Sequence, residues 1–480
     1  MNNPLICRVL GRVISIEAIL MVVPMIVSII YHEPIIPFVG AIVAAVIIST
    51  VLLRFKPEDD ELYATEGFII VSLAWILMSV IGALPFIFAG EIPNFIDAFF
   101  ETVSGFTTTG ATILTDVESM RKGTMFWRCF TNWIGGMGVL VFVMFVLPLH
   151  EEHSMHILRA EMPGPIIGKL VPKVQNTAKI LYLMYTVMTV VIAVLLMLGG
   201  MNLYDAIVHA FSTAGTGGFS NYANSVAHFD SAYIDYVMGF GLLFFGVNFN
   251  LYFLLLLGRV KEVIKNEELI WFLVIVAASS IVIALSTMDS YGSFLNAFRY
   301  SFFQVSSIIT TAGHITANYD MWPMVAQCIL FILMFTGACA GGTNGGVKLS
   351  RVLIAFKTLK NDVVRQIRPR EINHVIVNGE VVSKKTQHTT MVFIAAYLFV
   401  VIGATLLISI DNFDFTSTFT AVISCMGNIG PGSGVCGPVG NYAAFSDVST
   451  LILALCMLIG RLEIFPMLIL FIPLNGRKKF

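Results

Sequence analysis

Charge is what this sequence lacks most. Of its 480 residues only 12% are Asp, Glu, Lys or Arg, while 57% are hydrophobic. A soluble domain carries roughly a quarter charged residues, so a water-soluble fold is excluded. Disulfide and metal frameworks are missing too. The seven cysteines (Cys7, Cys129, Cys328, Cys339, Cys425, Cys436 and Cys456) are scattered through mostly apolar stretches with no ligand spacing, and they read as small packing residues. Only Cys425 and Cys436 are placed to approach each other outside the membrane. No glycine loop follows a predicted strand, so any nucleotide control must come from another subunit. The one enzyme-like cluster, HEEHSMH over 150–156, lacks the H-E-x-x-H spacing that puts two histidines on one helical face. It reads as a solvated segment, and the chain is expected not to be an enzyme.

Long apolar runs are abundant, and the mean hydropathy is +0.85. Runs of eighteen or more call for an all-α polytopic membrane protein. Ten spans are expected, at 10–31, 36–53, 67–89, 124–148, 178–199, 231–257, 268–287, 320–349, 388–410 and 443–473. The first follows Arg8 and Arg12 but is long and lacks a cleavage signal, so it reads as a membrane helix rather than a leader. Twenty-three of the 28 Lys and Arg residues fall in alternate loops, which marks the cytoplasmic side and puts both termini there. The other side carries Asp230, Asp235, Asp320, Asp411, Asp414 and Asp447. They would attract cations, with Asp97, Asp205 and Asp414 expected to cap short helices.

Between the members of the last four span pairs lies an apolar segment of about a dozen residues, too short to cross, followed by a glycine loop. DAFFETVSGFTTTGAT from Asp97 and DAIVHAFSTAGTGGFS from Asp205 align without gaps, Gly110 on Gly218. FQVSSIITTAGHIT from Phe303 places Gly313 on Gly110, and the divergent TFTAVISCMGNIGPGSG from Thr418 again reaches glycines, at Gly427, Gly430 and Gly432. The expected organisation is two N-terminal helices (1–60) and four repeats around one pore: 61–150 with pore loop 93–114, 151–260 with loop 203–220, 261–360 with loop 293–316, and 361–480 with loop 414–434.

A short helix dipping in from outside points its negative dipole end at the bilayer centre, which favours a cation. Irregular backbone at that depth is tolerated only where protein or a water-filled cavity surrounds it. Glycine permits the conformations that turn carbonyls to an axis, and rings of carbonyls replace a cation's water shell. The candidate filter is therefore Thr108, Thr109 and Gly110; Thr216, Gly217 and Gly218; Thr311, Ala312 and Gly313; and Asn428, Ile429 and Gly430. Which of Gly217 and Gly218 lines it stays open.

These loops, TTTGAT at 107–112, GGFS at 217–220, TTAG at 310–313 and NIGPG at 428–432, resemble the Trk/Ktr/HKT superfamily of potassium transporters. With WIGGMG at 133–138, GACAGGTNGGVK at 337–348 and GRLEIF at 460–465, the likeness is to its TrkH/TrkG branch, the membrane subunits of bacterial Trk systems. The resemblance covers essentially the whole chain. It implies potassium uptake across the bacterial inner membrane, a homodimer with one pore per protomer, and a TrkA-like cytoplasmic ring of nucleotide-binding regulatory subunits. Potassium would be the substrate, bound only at the filter residues; no other cofactor and no nucleic acid is called for. Where the family has an aromatic after the third glycine this chain has His314, expected to pack away from the axis rather than to tune the outer mouth with pH.

A break in the third inner helix, Gly337, Ala338, Cys339, Ala340, Gly341, Gly342, Thr343, Asn344, Gly345 and Gly346, is expected to obstruct the pore below the filter and move on activation. Arg461, inside the last span, should face that path or bind the loop, since an arginine at the bilayer centre costs roughly 2.5–3.5 kcal/mol. Asn248 and Asn250 are expected to hydrogen-bond between helices. Sodium- or proton-coupled symport is the alternative to a gated pore.

Overall fold

A chain with so little charge can satisfy its backbone in hydrocarbon only by bonding each N–H and C=O within its own segment, and helices dominate accordingly. In the computed structural model, which describes residues 2–55, 57, 64–138, 174–370 and 373–471, six helices are long and apolar enough to cross a membrane. They are Asn3–Ile30, Ile36–Leu53, Thr65–Ala89, Lys179–Leu198, Glu267–Tyr291 and Lys384–Asp411. Apolarity faces outward on them: Leu198, Phe399 and Leu406 are 74%, 75% and 74% exposed, as lipid contact requires. Residues 139–148 of the expected fourth span, the segment 150–156, the basic residues between 159 and 173, and the tail after 471 lie outside the described residues.

The first helix starts at Asn3, seven residues before the expected boundary. Asn2 accepts from the Leu5 N–H at 3.2 Å and Pro4 occupies the first turn, a start signal that a reading by hydropathy passes over. Its small residues let Ile36–Leu53 approach closely, with Ser49 Oγ donating to the Gly11 carbonyl at 2.8 Å. Halfway along sits Glu17, fully buried, with neither carboxylate oxygen bonded among the described residues. A buried polar group left unmatched costs about 1–3 kcal/mol. Glu17→Leu is therefore expected to stabilise the protein by about that amount, read as a raised midpoint in a thermal melt of the detergent-solubilised chain; a lowered midpoint would mean that the carboxyl has a stabilising role.

The rest of the chain is four helix, short helix, loop, helix units. The short re-entrant helices are Phe95–Phe106, Leu203–Gly215, Phe294–Ile309 and Phe415–Gly427. All four start on a side-chain cap: Asn94, Asn202, Ser293 and Asp414 accept from backbone N–H groups one turn on. Asp414 is a cap as expected, but Asp97 and Asp205 are not. They sit in the first turn behind asparagine caps, where their charge still complements the helix dipole.

The inner helices differ from expectation. Only the third was expected to break, yet the second and fourth break as well. Lys122–Gly136 ends at the edge of a segment that is not described; Ala232–Gly246 meets Phe249–Leu256 at 90°; Met324–Phe335 gives way to a loop before Leu349–Ile367; and Asp447–Arg461 stops before Phe465–Phe471, with Glu463 and Ile464 at positive φ. Asn248 is the cap at the 90° bend, accepting from the Asn250 N–H at 2.9 Å. It makes this local bond in place of the expected bond between helices.

A candidate selectivity filter and gate

Each re-entrant helix ends in the same turn. Two residues before the glycine, and again at the glycine, φ is positive: 53° and 80° at Thr108 and Gly110, 50° and 76° at Thr216 and Gly218, 57° and 73° at Thr311 and Gly313, 55° and 102° at Asn428 and Gly430. The intervening N–H turns back to a carbonyl five residues earlier, Thr109 to Ser104, Gly217 to Ser212 and Ala312 to Ser307 at 2.8 Å, and Ile429 to Ser424 at 2.9 Å. Glycine takes such φ freely, but a β-branched threonine does not. Three threonines held in a left-handed conformation mark strain of the kind found at functional sites. The acceptor is a serine all four times, six residues before the glycine, a column of identity already present in the aligned repeats.

The four turns close on one another. A side chain on Gly110 would collide with the Gly217 carbonyl, one on Gly218 with that of Ala312, and one on Gly313 with that of Ile429; one on Gly430 would lie 2.6 Å from that of Thr109. Each glycine thus abuts the residue before the next repeat's glycine, and the fourth abuts the first. Gly218 is the ring member. Gly217 has no positive φ and lies against Asn132 of the first inner helix.

On one side the ring opens to a cleft of ≈ 80 Å³, lined by Gly110, Gly218, Gly313 and Gly430. Among the described residues its lining includes Arg128 and no carboxylate. Of the acidic residues expected to draw cations in, Asp235 and Asp230 pair with Arg299 at 2.6 and 3.5 Å, while Asp411 accepts from the neutral Ser446 N–H at 3.0 Å. Hydrogen bonds from Ser417 hold the Asp414 carboxyl below its ordinary pKa, whereas burial raises that of Asp320 against the Gly434 N–H. His314 is fully buried, 3.4 Å from Ser225 Oγ and stacked 6.3 Å from His209.

On the other side lies the loop from the third repeat. Thr343 Oγ1 is 3.3 Å from Thr216 Oγ1, and the Gly345 N–H donates to Thr311 Oγ1 at 2.8 Å. Of the four side-chain oxygens at the base of the ring, these two are engaged, while Thr108 Oγ1 and Asn428 Oδ1 are unbonded among the described residues. The loop also accounts for the 90° bend. Carbonyls freed where Ala232–Gly246 ends are taken by the Cys339 and Thr343 N–H groups, at 3.1 Å from Gly246 and Phe245. Glu268 joins the loop to the helix after it, accepting from Ala340 and Ser350 at 2.8 and 2.9 Å, and Lys348 donates to the Asn344 carbonyl.

Arg461, the last residue of its helix, donates to Thr343 O at 2.8 Å, Gly135 O at 2.5 Å and Gly136 O at 3.0 Å. One guanidinium thus ties the fourth repeat to the first and to the loop of the third. Glu463, on a different face, pairs with Arg351 beyond that loop. Cys425 and Cys436 are free thiols.

The chain matches the family described as TrkH, cation transport protein, over residues 37–478. It is 37% identical to the Trk system potassium uptake protein TrkH of Salmonella typhimurium, over 98% of this chain and 99% of that one. To TrkG of Escherichia coli it is 33% identical over 96% of each. The crystal structure of the potassium transporter TrkH from Vibrio parahaemolyticus superposes with a TM-score of 0.90 at 32% identity, covering 99% of this chain and 100% of that one. With four filter-like turns closed into a ring and likeness over its whole length, the chain belongs to the TrkH family of cation transport proteins.

Proposed function

We propose that this chain is the membrane subunit of a bacterial potassium uptake system, passing potassium inward through the four-loop ring under the control of the loop over 337–346 and Arg461. The observation that carries the reading is the cyclic contact of the four glycines, each against the next repeat's carbonyl. Potassium entering the cleft loses water to the backbone oxygens of Thr108–Gly110, Thr216–Gly218, Thr311–Gly313 and Asn428–Gly430. The dipole ends of four helices favour its charge there. Beyond the ring, the loop and a fixed positive charge oppose onward passage. The arrangement is therefore a shut gate, to be opened from the cytoplasm by a TrkA-like nucleotide-binding subunit. The chain lies in the inner membrane with both termini cytoplasmic and acts as a homodimer with one pore per protomer.

Tracer rubidium uptake into liposomes holding the purified protein, with and without its cytoplasmic subunit, tests this. The expected result is uptake that follows the rubidium gradient alone, rises when the subunit is added, and is blocked by potassium far better than by sodium. Uptake that stops without a sodium or proton gradient would make the protein a symporter instead.

A further inference from the structure

Beyond each filter glycine the strand runs back outward beside its own re-entrant helix, and its N–H groups belong to no helix. At membrane depth such donors need partners. Nine residues before the glycine the four repeats carry Glu101, His209, Gln304 and Ala421; where the fourth has alanine, Thr420 stands one residue earlier. Three residues past the glycine the backbone donates to these side chains: Ile113 N to Glu101 Oε2 at 3.0 Å, Thr316 N to Gln304 Oε1 at 3.3 Å, and Ser433 N to Thr420 Oγ1 at 3.0 Å. In the second repeat the contact is one residue nearer, His209 Nε2 to Ser220 Oγ at 3.0 Å. The first repeat makes that contact as well, Thr112 Oγ1 to Glu101 Oε1 at 2.9 Å. Glu101, His209, Gln304 and Thr420 are all buried.

The first of them reaches further. Arg128, from the first inner helix, pairs with Glu101 at 2.6 Å, donates to the Ser220 carbonyl at 3.0 Å and stacks 3.6 Å from the Phe219 ring. A buried ion pair therefore joins the strand of loop one to the strand of loop two, and its positive half lines the cleft.

We propose that Glu101, His209, Gln304 and Thr420 are positioning residues of the filter: four struts of unlike chemistry at one pseudo-fourfold place, fixing how far each loop can follow a smaller cation inward. The Glu101–Arg128 pair locks two loops together and keeps the arginine's charge from repelling incoming cations. The proposal rests on the filter reading above. A sodium ion demands a tighter ring than potassium, so loops that cannot contract disfavour it; a loop freed from its strut can close on sodium.

The test is tracer rubidium uptake by full-length variants in bacteria lacking their own potassium uptake, read as the ratio of sodium to potassium concentrations that give half block. Gln304→Ala is expected to lower that ratio about threefold or more, as loss of one hydrogen bond's worth of preference implies. Gln304→Glu keeps the acceptor and should restore it. Thr420→Val against Thr420→Ser repeats the comparison if the alanine variant does not accumulate. Glu101→Gln should slow uptake most at low ionic strength, where Arg128 is least screened. An unchanged ratio in Gln304→Ala and Thr420→Val, while Gly110→Ser lowers it, would overturn the struts and leave the filter standing. Variants that accumulate yet carry no rubidium would also count against the struts, because positioning residues tune preference rather than permit conduction. If Gly110→Ser itself keeps the full ratio, the filter reading fails first.

Discussion

Gly110→Ser should cost the protein its preference for potassium, with the ratio of sodium to potassium giving half block of rubidium uptake falling about tenfold or more, the equivalent of ~1.4 kcal/mol. Two effects combine. Gly110 has φ of 80°, where an L-residue costs about 1–2 kcal/mol. Its new Cβ would also overlap the Gly217 carbonyl and lie 3.1 Å from Gly218 Cα. That overlap involves backbone, which cannot rotate away, so the second loop must move with the first. Gly90→Ala is the matched control: φ there is 71° and no atom lies within 4 Å of the added carbon. It should lower thermal stability slightly and leave ion preference alone. If Gly110→Ser and Gly90→Ala behave alike, Gly110 is not part of the filter.

Arg461→Ala is expected to open the pore. The guanidinium holds three carbonyls from two repeats, and hydrogen bonds to a charged group are worth about 1.5–3 kcal/mol each. Losing even one or two of them from the shut arrangement, some 3 kcal/mol, shifts the balance between shut and open about a hundredfold. Rubidium uptake without the cytoplasmic subunit should rise accordingly. Arg461→Lys, which keeps the charge but cannot span the same three acceptors, should fall between. If Arg461→Ala is as silent as the unaltered chain without its subunit, while still conducting with it, the arginine is no part of the gate.

The four loops were legible in the sequence because glycine recurs at one place in each copy and the flanking threonines repeat. The interruption over 337–346 was legible because five glycines in ten residues cannot continue a helix. The other interruptions of the inner helices were not. Val247–Asn248 and Leu462–Ile464 contain neither glycine nor proline; the chain turns there because donors about a hundred residues away, Cys339 and Thr343, take the freed carbonyls at the first break. Glu463 could be excluded as a partner of Arg461 from helical spacing, but its actual partner, Arg351, is 112 residues away. Arg299, which pairs with two of the outer aspartates, Asp230 and Asp235, is likewise 64 residues or more away in sequence. The proposed struts escaped notice because the repeats share no residue type there and the fourth is offset by one residue; only a hydrogen-bond pattern makes Glu101, Gln304 and Thr420 equivalent.

A ring made from one chain also differs from a ring of four identical subunits in what mutation can do to it. When identical subunits close a pore, one changed codon alters all four quadrants at once, and the filter can change only in whole steps. Here Thr109, Gly217, Ala312 and Ile429 occupy the same place with different side chains, and each can change alone. On the proposed reading, selection can therefore adjust ion preference by quarters, and it can assign the plug to one quadrant, the third, without placing four plugs in the same pore.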